Sequence, residues 1–123
     1  MREVGWVTPQ LQAVLPILVG SPDGPPERIE TVLDTGFGGF LALPALVIDQ
    51  LCLPFVDIAT VRPADGVLMQ CAEHLARVQW FGGLAEIPVL AMEGGPLLGM
   101  GLLRGCRVSF EVTPRAVVEI SAR

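Results

Sequence analysis

The apolar positions of this chain come in short runs, alternating or continuous, each cut off by glycine or proline. That is the pattern of strands and tight turns rather than of long amphipathic helices. Residues 11–19 read as a strand, with Pro16 marking an edge or a bulge. Residues 21–26 are a Pro/Gly loop, residues 28–33 the next strand, and residues 37–43 continue extended. At residues 44–51 the period lengthens to that of a short helix. Pro44 suits its first turn and Pro54 stands just past its end. Residues 55–62 and 67–81 read as strands joined at Pro63-Ala64-Asp65-Gly66, a hairpin turn in which Gly66 supplies positive φ. Gly82-Gly83 turns into a strand over 84–92, and Glu93-Gly94-Gly95 makes a third turn. Residues 98–103 have room for one helical turn, stopped by Gly105. Residues 106–112 alternate apolar against polar, and residues 116–120 form the last strand. Many short strands and one short helix predict an all-β barrel or sandwich, in a single domain over residues 1–123.

Composition sharpens this picture. Hydrophobic residues make up 51% and charged residues 17%, which excludes a disordered chain and hints at apolar surface buried in an oligomer. The net charge is −5, every basic residue is arginine, and no basic run occurs, which argues against a nucleic-acid partner. The stretch 37–48 is too short to span a bilayer and is broken by Gly38, Gly39 and Pro44. Residues 11–20, interrupted by Gln12 and Pro16, do not read as a signal peptide. Cys52, Cys71 and Cys106 are odd in number and widely spaced, as expected of buried thiols in a reducing cytoplasm. With His74 they would make a Cys3His set, but only Cys71 and His74 are close in sequence, so no metal is expected.

The residues that suggest chemistry are Thr31-Val32-Leu33-Asp34-Thr35-Gly36, an apolar strand that delivers an aspartate onto a Thr-Gly turn. Later in the chain, Leu97-Leu98-Gly99 offers two hydrophobic residues and a glycine that can pack behind that turn. An ordinary turn would use the same residues, since Asp and Gly both favour turns. A catalytic reading asks for more. Peptide hydrolysis by carboxylates holds a water between two acids, one ionised and one protonated. Two so close cannot both ionise and titrate as a pair. One such aspartate per chain then calls for a two-fold dimer.

Two longer patterns carry a resemblance. They are Val32-Leu33-Asp34-Thr35-Gly36-Phe37-x-Gly39-Phe40-Leu41-x-Leu43-Pro44 and Leu97-Leu98-Gly99-Met100-x-Leu102-Leu103. Together they resemble a prokaryotic, single-domain family of retropepsin-like (clan AA) aspartic proteases, over about residues 11–112. The resemblance implies a retropepsin-like β-barrel, an obligate homodimer and a flap over the cleft. It makes Asp34 catalytic, with Thr35 and Gly36 in support and Ala64, Asp65 and Gly66 at the flap tip. No cofactor is implied. The substrate would be an extended peptide or protein segment with apolar residues flanking the cut. By apolar content and position, the terminal strands near Val4–Val7 and Ala116–Ile120 are the candidates for the dimer seam.

Two residues depart from the expected pattern. Phe37 stands where a small Ala or Ser is usual, and it cannot hydrogen-bond the carboxylate. Gly101 stands where an acidic residue is expected. Both favour a rival reading, a non-catalytic peptide-binding or dimerisation module on the same barrel. Other constellations are weaker. Gly36-Phe37-Gly38-Gly39 lacks the third glycine of a dinucleotide loop, since residue 41 is Leu, and Asp34 would repel a pyrophosphate. His74, the only histidine, has no nucleophile signature beside it. Trp6 and Trp80 read as core or interface residues.

Overall fold

The structure, a computed structural model, describes residues 1–62 and 65–122. It contains ten strands and two short helices: β1 (Arg2–Val7), β2 (Ala13–Gly20), β3 (Glu27–Leu33), β4 (Leu41–Leu43), α1 (Ala45–Gln50), β5 (Phe55–Val61), β6 (Met69–Trp80), β7 (Gly83–Ala91), β8 (Leu97–Leu98), α2 (Met100–Leu103), β9 (Cys106–Ser109) and β10 (Val117–Ala122). The strands hydrogen-bond in the order β5-β6-β7-β4-β8-β3-β2-β1-β10-β9, and a further β6–β2 pairing closes the six strands from β6 to β2 into a barrel. That closure rests on two register pairs, Val19 with Val78 and Gly20 with Arg77.

Alternation fills the barrel. Leu15, Ile17 and Val19 of β2, Ala76 and Val78 of β6, and Ile87 and Val89 of β7 all point inward and join one buried cluster with Leu41, Leu43 and Leu98. Ile48 of α1 and Leu102 and Leu103 of α2 plug the same core, so each helix buries one apolar face. Thr31 is the one buried polar residue among those described, and its hydroxyl donates to the Leu15 carbonyl at 2.7 Å.

Pro16 lies in a strand that is central to the sheet, yet the edge reading holds locally. On one side β2 pairs continuously with β3. On its other side β1 pairs only through Ala13 and Val14, and β6 only from Val19 onward. Pro16 falls in the gap between them, where a missing N–H breaks no ladder.

Several expected boundaries move. Residues 37–40 form an irregular, bent loop rather than a strand, and only Leu41–Leu43 is paired as a strand. The expected strand over 106–112 stops at Ser109, because β10 ends its pairing with β9 there, at Glu119. The helical turn expected over 98–103 is α2, Met100–Leu103, followed by Arg104 and by Gly105 at φ 79°. The β6–β7 hairpin turns on Phe81-Gly82 rather than on Gly82-Gly83. Both turn residues have positive φ, 52° and 76°, as a two-residue turn matched to strand twist requires. Phe81 tolerates this because its amide donates to Glu3 Oε2 at 2.9 Å and its ring meets Trp80 edge-on, centroids 4.9 Å apart.

The terminal strands are not free edges. β1 lies between β2 and β10, and β10 lies between β1 and β9. The open edges of the sheet are β5 and β9. Among the described residues no helix is long and apolar enough to cross a membrane.

Candidate functional site

Asp34 follows β3, and its position is set by β3, by β4 and by β8, a strand distant in sequence. β8 inserts between β3 and β4, parallel to β3 through Val32–Leu97 and Leu33–Leu98, and antiparallel to β4. The ladder continues into the turn. The Asp34 amide donates to the Leu98 carbonyl at 3.0 Å, and the Gly99 amide donates to the Phe40 carbonyl at 3.0 Å. The Met100 amide donates to the Phe37 carbonyl at 2.8 Å. Leu97, Leu98 and Gly99 therefore do pack behind the turn, and Leu98 is wholly buried. Asp34 Oδ1 accepts the Gly36 amide at 2.9 Å, which orients the carboxyl. The Phe37 amide closes the turn by donating to the Asp34 carbonyl at 3.1 Å.

The two unexpected residues have a steric explanation. A Cβ on Gly101 would lie 2.9 Å from the Gly39 carbonyl oxygen and 3.1 Å from that of Gly38. No acidic side chain fits there, and the Gly101 amide itself donates to Gly39 at 3.0 Å. The Phe37 ring lies over two glycines: a Cβ on Gly39 would meet its Cζ at 2.5 Å, and one on Gly99 its Cδ2 at 2.6 Å. Phe37 has no group to hydrogen-bond the carboxylate, and its ring forms an apolar wall of the cleft that Asp34 lines.

Asp34 lines an open cleft of about 360 Å³ with Phe37, Leu90, Met92 and Leu97 on its walls, Gly36, Gly38 and Gly39 on its floor, and Val61 and Arg62 from the end of β5. Asp34 is its only carboxylate among the described residues. The β5–β6 hairpin overhangs this cleft through Val61 and Arg62. Of the expected flap tip, Ala64 lies outside the described residues. Gly66 has φ 81°, and Asp65 Oδ1 accepts the Val67 amide at 3.0 Å.

Asp34 also borders a second depression, of about 560 Å³, on the other side of the turn. Thr35 lines this one and not the cleft. Among the described residues its exposed hydroxyl makes no hydrogen bond, so within one chain Thr35 does not buttress Asp34. The depression is apolar, bounded by Leu11, Met100, Leu103, Cys106, Val108 and Phe110, and it borders the open edge of β9. The sequence predicts the strand over 106–112 but not the depression or β9's place at an open edge, because edge status depends on pairing partners far along the chain.

The thiols do not gather. Cys52, Cys71 and Cys106 are all free, and burial pushes the Cys106 thiol above its ordinary range. Cys71 and His74 are three apart on β6 and so point to opposite faces. His74 packs edge-on against Phe55, and its Nδ1 is buried without a partner. Among the described residues no group of three or more His, Cys, Asp or Glu side chains is placed to hold a metal ion. Trp6 is half-buried beneath Arg28, whose guanidinium lies 5.8 Å from the ring centroid, and Trp80 packs against the barrel core.

Compared with known proteins, the chain matches no family model and no curated protein.

Proposed function

We propose that this chain is one half of a homodimeric aspartic peptidase of retropepsin type. The observation that carries the reading is the position of Asp34. It is a lone carboxylate, oriented by the Gly36 amide, between apolar walls and beneath a hairpin shoulder. The turn that holds it is fastened by a strand inserted between β3 and β4.

The chemistry needs a second acid, and a second copy supplies it. One ionised Asp34 takes a proton from water as the oxygen attacks the scissile carbonyl carbon. The other, protonated, donates a hydrogen bond to the carbonyl oxygen. Collapse of the tetrahedral intermediate then breaks the C–N bond, with a proton delivered to the leaving nitrogen. The apolar depression behind Thr35, with the open β9 edge, is the face that suits a second copy. A two-fold pairing on that face would bring Thr35 and Asp34 of both chains toward one axis. The apolar cleft walls favour an extended peptide with apolar side chains beside the cut, bound under the hairpin by strand-like hydrogen bonds. Three free thiols suit a reducing cytoplasm.

The second reading is a peptide-binding or dimerisation module without turnover. Phe37 favours it, since its ring occupies space beside the carboxyl where a hydroxyl would serve catalysis.

The deciding experiment incubates the protein with a diverse peptide mixture from acidic to neutral pH, beside Asp34→Asn, and reads cleavage by mass spectrometry. Cuts between apolar residues that vanish in the variant support the peptidase. A folded dimer that cuts nothing supports the binding module.

A further inference from the structure

Arg62 directly follows β5, which ends at Val61, and is exposed. It lines the same cleft as Asp34, and the other described lining residues are glycines and apolar side chains. Arg2, Arg28 and Arg77 each have a carboxylate partner, with Glu119, Glu30 and Glu86. Among the described residues Arg62, like Arg104, Arg107 and Arg115, has none, and of these four it alone lines the cleft of Asp34, with which it is not paired. A guanidinium stays charged at any working pH and presents five donors in a planar fork that fits a carboxylate. When a peptide fills an apolar cleft, water leaves the groups at its mouth. A charge left there without a partner is disfavoured.

We propose that Arg62 is a specificity residue that selects a carboxylate on the peptide bound in this cleft. The inference rests on the cleft being a peptide site, and it goes further by naming a charged feature of the ligand. The second charge in the cleft fixes where that feature lies. Asp34 repels a carboxylate brought close to it, so the acid sits toward the β5 shoulder, offset from the bond next to Asp34. A cation just after β5 and a carboxylate just after β3, both lining the cleft, then also orient the peptide. The carboxylate comes either from a Glu or Asp side chain or from the peptide's own C-terminus.

The test separates recognition from hydrolysis. Binding is measured by fluorescence anisotropy on the wild-type protein, over times before any cleavage is seen, and on Asp34→Asn, using labelled, C-terminally amidated apolar peptides that carry Glu or Gln at successive positions. A further set carries Gln and a free C-terminal carboxylate. The expected result is roughly tenfold tighter binding of the acidic peptide at one position, weakening as salt is raised. The preference should disappear when Arg62→Gln is added and turn toward Lys-containing peptides with Arg62→Glu. Tighter binding of the free-acid set alone keeps the proposal and identifies the chain terminus as the source. Equal affinities throughout, no binding of any peptide, or a preference unchanged by Arg62→Gln would overturn it. Acid-selective binding without cleavage by the wild-type protein leaves Arg62 in its role and removes the peptidase. Cleavage without acid preference does the reverse.

Discussion

The Asp34 amide donates to the Leu98 carbonyl, 3.0 Å away, so the one carboxylate of the cleft is anchored by a residue far along the chain. The anchor is backbone, and it is indifferent to the charge of the side chain. Asp34→Asn keeps this bond and leaves an amide oxygen to accept from Gly36. Its stability should stay within about 1 kcal/mol of wild type in urea titrations, whereas Asp34→Ala, which loses the acceptor, should cost about 1 kcal/mol. Loss of cleavage in Asp34→Asn with an unchanged midpoint separates chemistry from folding. A collapse in stability would mean that the charge holds the turn.

The glycines around Phe37 should differ in a predictable order. A Cβ on Gly99 meets the Gly39 and Phe37 carbonyl oxygens, which are backbone and cannot yield. Gly99→Ala should cost about 2–3 kcal/mol. A Cβ on Gly39 meets only the far end of the Phe37 ring, which can swing away. Gly39→Ala should cost less, and Phe37→Ala should relieve most of that cost in a double-mutant cycle. Equal costs at both glycines would refute this account of the wall.

Thr31 offers a test of the barrel interior. Thr31→Val keeps the shape, removes the hydroxyl and should cost about 1 kcal/mol, the net worth of one hydrogen bond. Thr31→Ala adds a cavity and should cost more. Chemical denaturation of both variants measures the difference.

The dimer face can be tested without disturbing the fold. Met100 and Phe110 are both at least partly exposed, 46% and 39%, and both border the depression behind Thr35. Met100→Glu with Phe110→Glu should give a folded monomer by sedimentation, inactive on peptides. Truncation from residue 116 is the poorer test, because it removes β10, whose Val118 and Ile120 are wholly buried. An active monomer would end the shared-dyad reading.

Cys106 reports on the same face. Because burial raises its pKa, it should alkylate more slowly near neutral pH than the exposed Cys52. The sign for stability follows from linkage. The folded state holds the thiol proton more tightly, so the contribution is fully present below the unfolded thiol pKa. It is lost as pH rises through the higher folded value. Mass-spectrometric labelling across alkaline pH checks both statements.

Local chemistry was legible in the sequence, and pairing across distance was not. The helix at Ala45–Gln50 could be read from Pro44 and Pro54, and the hairpins from their glycines, because those signals act within a few residues. Asp34 and its Leu97-Leu98-Gly99 backing could be read as adjacent, since both motifs are short and apolar. The places of the terminal strands, β1 between β2 and β10 and β10 between β1 and β9, could not be read, because they depend on pairing across nearly the whole chain. The hairpin shift to Phe81-Gly82 depended on Glu3, which no local rule brings to that turn. Gly101 looked like a defect and is a packing requirement, visible only once α2 lies on residues 38 and 39.

The insertion of β8 between β3 and β4 also sets an order in time. As the chain leaves the ribosome, Asp34 emerges well before the segment that fixes its backbone. Until Leu97, Leu98 and Met100 arrive, the turn lacks its hydrogen bonds to them, and β3 and β4 have no strand to join them. A nascent or C-terminally broken chain therefore carries the aspartate without the geometry, so synthesis itself keeps the site unformed until nearly the whole barrel has been made.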